Sequence, residues 1–137
     1  MYRLLKLVTS GIPLPFKGIN NLRSFIGLDN LIDLLIKCID HPMAKGKIFL
    51  VSDGKDLSLV DFLTQIYFFA ERQNRLFYIP ASILKLAFFV SGKSREINRL
   101  FGTLQIDSSY TERALSWKPP LSVKEGICKM INGNKIK

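Results

Sequence analysis

The stretch RSFIGLDNLIDLL, residues 23–35, decides the expected fold because it predicts a β-strand followed directly by a helix. Residues 23–28 are short and extended enough to form the strand. Asp29 is expected to cap the helix, since its carboxylate can accept the free backbone N–H groups of the first turn. His41-Pro42 predicts where the helix ends. Its expected apolar face consists of Leu31, Leu34, Leu35 and Cys38.

Helical and extended segments are predicted on both sides of this stretch. Further strands are predicted at 47–51 and 76–79, and the apolar residues from Leu76 to Val90 are expected to be buried as a strand and a helix. The sequence therefore predicts an α/β fold with several helices and a few short strands, as one domain over residues 1–137. Further helices are predicted at 2–9, 58–70, 80–90, 95–101, 108–115 and from 122 onward. Three of their starts are predicted from the caps Ser58 and Asp107 and the capping box Ser122-x-x-Glu125.

Composition indicates a globular, cytoplasmic protein. Of the 137 residues, 47% are hydrophobic and 23% are charged, which is typical of a folded domain. Cys38 and Cys128 lie far apart and form no Cys-x-x-Cys, so neither a disulfide nor a zinc site is indicated. The longest apolar stretch is interrupted by Pro80 and Lys85 and is shorter than the roughly 20 residues that cross a bilayer. No export signal is recognisable, so we expect a cytoplasmic location.

The net charge of +9 would suit a polyanionic partner such as nucleic acid. However, the Lys and Arg residues are spread along the chain, without a basic run or a helix-turn-helix signature. We therefore expect no nucleic acid and no membrane as partner, and a basic nucleic-acid or membrane-surface protein ranks as the third alternative. A pocket for a substrate diphosphate needs only one or two well-placed arginines.

Three segments resemble a known family in their order and spacing. They are RSFIGLDNLIDLL from Arg23, FLVSDGKDLS from Phe49 and LQIDSSYTERALSWKPP from Leu104. The family is the extended short-chain dehydrogenase/reductases, and within it the NAD-dependent epimerases, dehydratases and 4-reductases of nucleotide-linked sugars. The resemblance runs from Arg3 to about Met130 and is to the small C-terminal, substrate-binding lobe. It implies that the NAD-binding Rossmann domain, with its Gly-rich fingerprint and its catalytic Ser/Thr, Tyr and Lys, is missing from this chain.

The resemblance also implies a function. The chain is similar to the substrate-binding fragment of an NAD-dependent nucleotide-sugar epimerase, and the expected substrates are UDP-sugars of surface polysaccharide synthesis. This chain would then hold no catalytic residue, no metal and no cofactor, and a separately encoded Rossmann half would be its partner. The alternative is an inactive remnant of a split or truncated gene, or a non-enzymatic interaction module.

Two arginines are the expected substrate-binding residues. Arg23 resembles the family's arginine that grips the nucleotide diphosphate just before the Asp-Asn-Leu motif, and Arg99, within NRLFGTLQID, resembles a second such arginine. A guanidinium matches phosphate oxygens with two parallel hydrogen bonds, which a solvated Lys does less specifically. The alternative for each is an ordinary surface charge. Asp29 and Asn30 match the Asp-Asn-Leu motif, and their expected role is structural.

The remaining polar motifs are expected to be structural. Tyr2-x-x-x-Lys6 has the family's catalytic spacing, but four tyrosines and thirteen lysines give about 0.4 such matches by chance, and no cofactor domain accompanies it. Ser52-Asp53-Gly54 predicts a turn. Trp117 is expected to pack the last helices together. Ser116 stands where the family usually has Gly, which is tolerable only if this residue needs no positive φ.

Overall fold

A computed structural model describes residues 2–92 and 100–135 of the chain. Within these residues, six α-helices and one short 3-10 helix are present. The α-helices are α1 (Tyr2–Thr9), α2 (Leu28–Asp40), α3 (Leu59–Phe69), α4 (Ala81–Val90), α5 (Ser109–Leu115) and α6 (Val123–Lys135), and the 3-10 helix is Pro42–Ala44. In the part of the chain that the structure describes, no helix combines the length and the apolar character needed to cross a membrane. The helix predicted at 95–101 lies mostly outside the described residues.

The chain divides into two compact units, each assembled from two stretches of sequence. Unit 1 contains Met1–Arg23 and Leu57–Thr103, and thus α1, α3 and α4. Unit 2 contains Ser24–Asp56 and Leu104–Lys137, and thus α2, the 3-10 helix, α5 and α6. Each unit therefore depends on contacts between residues that are distant in sequence.

The strands predicted at 23–28, 47–51 and 76–79 do not form a sheet among the described residues, so the prediction of short strands was wrong there. Isolated bridges take their place, one antiparallel between Arg23 and Leu57 and one parallel between Leu14 and Leu76. The physical reason lies in the hydrogen-bond partners, which change from one residue to the next. Backbone bonds join Arg23 to Leu57, Ser24 to Leu104 and Phe25 to Asp53, and a ladder requires one continuous partner strand.

The interior of unit 1 forms where α1 packs against α3. Helix α3 begins at the predicted cap: the Ser58 hydroxyl accepts the Asp61 N–H, and the Asp61 carboxylate accepts the Ser58 N–H. This capping box satisfies donors that a helix start otherwise leaves without partners. The buried side chains of α1 and α3 are Leu5, Val8, Leu59, Phe62, Leu63, Ile66 and Tyr67.

Helix α4 is not buried as predicted. Leu84 is its buried residue, whereas the apolar side chains of Phe89 and Val90 are 71% and 79% exposed. The segment before it is also exposed, at Phe77 and Tyr78. Apolar residues surround almost the whole circumference of α4, and a helix that packs along one side can bury only that side. The expectation failed because overall hydrophobicity does not say how many sides of a helix have neighbours.

The interior of unit 2 is built around Trp117. Its ring packs with Leu34 of α2 and Leu115 of α5, and partly buried apolar residues surround this cluster. The indole Nε1–H donates to Oδ2 of Asp33 at 2.6 Å, so the polar edge of the ring also has a partner. Those surrounding residues are Ile26, Cys38, Ala44, Phe49 and Val51.

The helix boundaries of unit 2 agree partly with the sequence. Ser122 and Glu125 form the predicted capping box of α6. For α5 the N-cap is Ser108 rather than the predicted Asp107, whose carboxylate instead accepts the Ser109 N–H at 2.9 Å. Ser116, the C-cap of α5, has φ +45° and ψ +46°, in the left-handed region. Position 116 therefore does need a positive φ, and serine is strained where the resembling family usually has glycine.

Candidate functional site

Arg23 is held on both its backbone and its side chain. Its N–H donates to the Leu57 carbonyl at 2.9 Å, and its carbonyl accepts the Leu57 N–H at 3.0 Å. Its guanidinium Nε donates to the carbonyl oxygen of Gly102 at 3.1 Å, and the residue is half-buried. Arg23 is therefore a restrained side chain anchored on unit 1, unlike a solvated surface arginine.

Asn21 bonds to the two segments that also hold Arg23, residues 57–59 and 100–102. The sequence did not reveal this role. Its Nδ2 donates to the carbonyls of Leu100 and Gly102 at 2.9 and 3.3 Å, and its Oδ1 accepts the N–H of Leu59 at 3.0 Å. The side chain is buried, so these bonds carry the full cost of desolvation if they are broken. Residues 17–21 have turn composition, which gives no indication of this, since turn asparagines normally bond to their own loop.

Arg99, the second predicted arginine, lies outside the described residues. The residues directly after it are described, and they meet the segment of Arg23. Besides the bonds from Asn21 and Arg23, the Leu22 N–H donates to Oγ1 of Thr103 at 3.4 Å. Residues 100–103 are thus tied to residues 21–23 by four hydrogen bonds.

Asn30 has the structural role predicted for it, but Asp29 does not. The N-cap of α2 is Gly27, and Asp29 lies inside the first turn, where its carboxylate pairs with Lys129 at 3.0 Å on the surface. Asp53 performs the expected function instead, because its Oδ2 accepts the Gly27 N–H at 2.9 Å. The Asp29 prediction was wrong because α2 begins at Leu28, two residues earlier than a cap at Asp29 requires, and the Gly27 N–H donates to a carboxylate from a turn distant in sequence.

Asn30 and Asp53 form a buried polar network in unit 2. Nδ2 of Asn30 donates to Oδ1 of Asp53 and to the Leu121 carbonyl, both at 2.7 Å, while its Oδ1 accepts the Leu121 N–H at 2.9 Å. Asn30 is 1% exposed, and every polar atom of its amide has a partner. Gly54 has φ +77°, which agrees with the turn predicted at 52–54. The network fixes backbone positions, and both oxygens of the Asp53 carboxylate accept hydrogen bonds within it.

A second network in unit 2 surrounds Asp56, which is more exposed than Asp53. Oδ1 of Asp56 accepts the Ser24 hydroxyl at 2.5 Å, and Oδ2 accepts Nε2 of Gln105 at 2.7 Å. The Ser24 hydroxyl in turn accepts the Ile106 N–H at 2.8 Å. The Ser24 bond, followed by the Gln105 bond, lowers the pKa of Asp56 below its ordinary value. Asp56 is therefore a carboxylate held in its charged form, which is the opposite of what a general acid requires.

Other reactive residue types have structural surroundings. Nδ1 of His41 accepts the Met43 N–H at 3.3 Å and so caps the 3-10 helix. Cys38 and Cys128 carry free thiols. Among residues 2–92 and 100–135, no group of three His, Cys, Asp or Glu side chains is arranged to hold a metal ion.

The residues present do not fit NAD. The nine glycines of the sequence include no Gly-x-Gly-x-x-Gly, the loop whose backbone approaches a dinucleotide pyrophosphate closely. Residues 2–92 and 100–135 also lack the parallel sheet from which such a loop emerges.

Comparison with known proteins finds similarity to one part of a known enzyme. A UDP-glucose 4-epimerase from Vibrio cholerae is 43% identical to this chain over 125 residues. The chain resembles part of a nucleotide-sugar epimerase. The aligned region covers 90% of this chain and 38% of the epimerase, so the chain spans well under half of that relative's length. The similarity confirms the resemblance inferred from the three segments. No protein-family profile matches the chain, and no solved structure matches it.

Proposed function

We propose that this chain is the substrate-binding part of an NAD-dependent nucleotide-sugar epimerase, with a UDP-sugar as substrate. The observation that carries the proposal is the 43% identity to a UDP-glucose 4-epimerase over nearly the whole chain. In this proposal residues 1–137 form one substrate-binding lobe in the cytoplasm. The NAD-binding Rossmann domain and the catalytic residues are supplied by polypeptide outside this sequence, so the chain is inactive by itself.

Arg23 is the proposed diphosphate ligand. Because its backbone is tied to Leu57 and its Nε to Gly102, the guanidinium loses little conformational freedom when a ligand binds. Such preorganisation, together with the two-pronged geometry of the guanidinium, favours phosphate oxygens. Arg99 is the proposed second ligand, since Leu100, the next residue, is bonded to Asn21, two residues before Arg23.

The exposed side of α2 is the proposed contact for the NAD-binding half. Its outward apolar residues recur at helical spacing and form a stripe along the whole helix. A stripe of this kind on a soluble domain usually marks an interaction surface. The residues are Leu28, Ile32, Leu35 and Ile39.

Calorimetric titration with UDP and UDP-glucose tests the binding proposal. Arg23→Ala should weaken UDP binding by roughly 10- to 100-fold, the value of hydrogen bonds to a charged group. Arg23→Lys should recover only part of this, because an ammonium cannot reproduce the two-pronged geometry. Arg75→Ala is the matched control: Arg75 also lies in unit 1 and donates from its guanidinium to a glycine carbonyl, that of Gly11 at 3.0 Å. The control should bind UDP like the natural chain.

Equal losses in the Arg23 and Arg75 variants would refute a specific role for Arg23. Absence of UDP binding in the natural chain would leave the alternative, an inactive remnant or a non-enzymatic interaction module, which the exposed apolar sides of α2 and α4 favour. Co-expression with a Rossmann half of an epimerase addresses activity. If the two chains co-purify and remain inactive with NAD and UDP-glucose, the proposal of an epimerase part is wrong.

A further inference from the structure

Helix α4 of unit 1 directs most of its apolar side chains toward solvent. Leu84 is buried, and Ala81 and Phe88, on the same side of the helix, are half-buried. At 100° per residue, the opposite side is a continuous apolar arc that contains one polar residue, Ser82. The exposed large side chains of this arc are Ile83, Leu86, Phe89 and Val90.

Basic and aromatic residues border this arc. Lys85 is exposed at its edge, with Nζ 5.2 Å from the centre of the Phe101 ring. Phe77 and Tyr78 are exposed just before the helix. The N–H of Lys17, another exposed lysine, donates to the Phe77 carbonyl at 3.2 Å. Apolar helix faces with lysines at the edge and aromatic rings nearby are typical of helices that lie in a membrane interface.

Charge distinguishes this apolar face from the one on α2. Unit 1 has ten Lys and Arg against three Asp and Glu, whereas unit 2 has ten against eight. Most of the net positive charge, +7 of +9, therefore belongs to the unit that carries α4. Positive charge of this density repels a second copy of the same surface and attracts an anionic one. An anionic phospholipid surface is complementary to unit 1 in both charge and hydrophobicity.

We propose that α4 binds the surface of anionic phospholipid membranes, with the arc of Ile83, Leu86, Phe89 and Val90 inserted between the headgroups. Helix α4 has ten residues, about half of what is needed to cross a bilayer, so it lies along the surface. The exposed lysines beside the arc, Lys17 and Lys85, contact the lipid phosphates. This inference does not depend on the proposed function, and it departs from the expectation, drawn from the sequence, that no membrane is a partner.

Sedimentation of the full chain with sucrose-loaded vesicles tests the inference. We expect binding to phosphatidylcholine vesicles in which about a third of the lipid is phosphatidylserine, and much weaker binding to phosphatidylcholine alone. Raising the salt concentration should release the protein. The double variant Leu86→Ser, Phe89→Ser should lower the partition coefficient by at least about tenfold, which corresponds to the loss of two inserted apolar side chains.

The matched control is the double variant Leu35→Ser, Ile39→Ser, which removes two exposed apolar residues from α2 of the nearly neutral unit 2. It should bind anionic vesicles like the natural chain. All four residues are exposed, so circular dichroism should show unchanged folding in both variants. The α4 variant should also keep its affinity for UDP, so failure of this inference and failure of the proposed function would be observed separately.

Three outcomes would overturn the inference. The first is that the natural chain does not sediment with anionic vesicles. The second is equal binding by the natural chain and the α4 variant, which would assign the attraction to basic charge alone. The third is a dimeric mass by light scattering that becomes monomeric in the α4 variant, which would make the arc an interface between two copies of the chain.

Discussion

Replacing Asn30 by Ala should be among the most destabilising changes in unit 2. The substitution removes one hydrogen bond to the Asp53 carboxylate and two to the Leu121 backbone. The bond to a charged group contributes about 1.5–3 kcal/mol and each neutral bond about 1 kcal/mol, so the free energy of unfolding should fall by roughly 4 kcal/mol. Domains are stable by about 5–15 kcal/mol, and the variant would therefore lose a large part of its margin.

Urea unfolding followed by tryptophan fluorescence measures this loss. Trp117 is the single tryptophan of the chain, and it lies in the interior of unit 2, the unit that contains Asn30. Asn132→Ala is the control, since Asn132 is exposed and its side chain makes one long contact, 3.6 Å to Sγ of Cys128. The control should stay within about 0.5 kcal/mol of the natural chain.

The variant Asn30→Asp tests the electrostatic part of the same reasoning. It places a second carboxylate where an amide now lies 2.7 Å from Oδ1 of Asp53. Two buried carboxylates repel until one is protonated, so the variant should be weakest at neutral pH and should approach Asn30→Ala below about pH 4. If Asn30→Ala costs less than about 1 kcal/mol, the amide does not hold the network together and this reasoning is wrong.

Three further predictions concern backbone strain, packing and acid stability. Ser116→Gly should raise the melting temperature and add about 1 kcal/mol to the free energy of unfolding, because glycine adopts a left-handed φ without strain. Ser116→Ala should give no such gain, and equal effects of the two variants would contradict this reason. Gly18→Ala should lower the free energy of unfolding by about 1–3 kcal/mol, since a Cβ there would lie 2.7 Å from the Ile79 carbonyl oxygen. In Gly126→Ala the nearest atom to the new Cβ is 3.9 Å away, so this variant should stabilise α6 and raise the melting temperature. The pKa of Asp56 is lowered, so its charged carboxylate stabilises the fold at pH values above its unfolded pKa, and this contribution is lost as the pH falls through the folded pKa. Asp56→Asn should therefore lose less melting temperature than the natural chain between about pH 5 and about pH 2, the range in which carboxylates titrate. An unchanged pH dependence of the melting temperature would contradict this reason.

Helix starts that depend on neighbouring residues could be predicted from the sequence. Ser58 with Asp61 and Ser122 with Glu125 each close a capping box over three residues, so the information is local. Asp29 looked equally suitable. The start of α2 is instead satisfied by Asp53, whose side chain bonds to a residue 26 positions away. Spacing along the chain cannot reveal a partner at that distance.

The candidate site likewise combines features that the local sequence indicates with features that depend on distant segments. Arg23 was selected from its position before Asp-Asn-Leu, and its role in binding a diphosphate stays a prediction. The restraint of its guanidinium by Gly102, and the role of Asn21, depend on segments about 80 residues apart. Neither follows from the residues near position 23.

The sequence by itself determined most of the described helical segments, the cap Ser58, the capping box of Ser122 and Glu125, and the resemblance to nucleotide-sugar epimerases. The tertiary structure decided that the extended segments pair by single bridges rather than in a sheet, and that α4 exposes its apolar side. Propensity and capping act over one helical turn, within the reach of sequence analysis. Strand pairing and burial depend on which distant segment comes to lie beside a residue, and that is set only when the whole chain has folded.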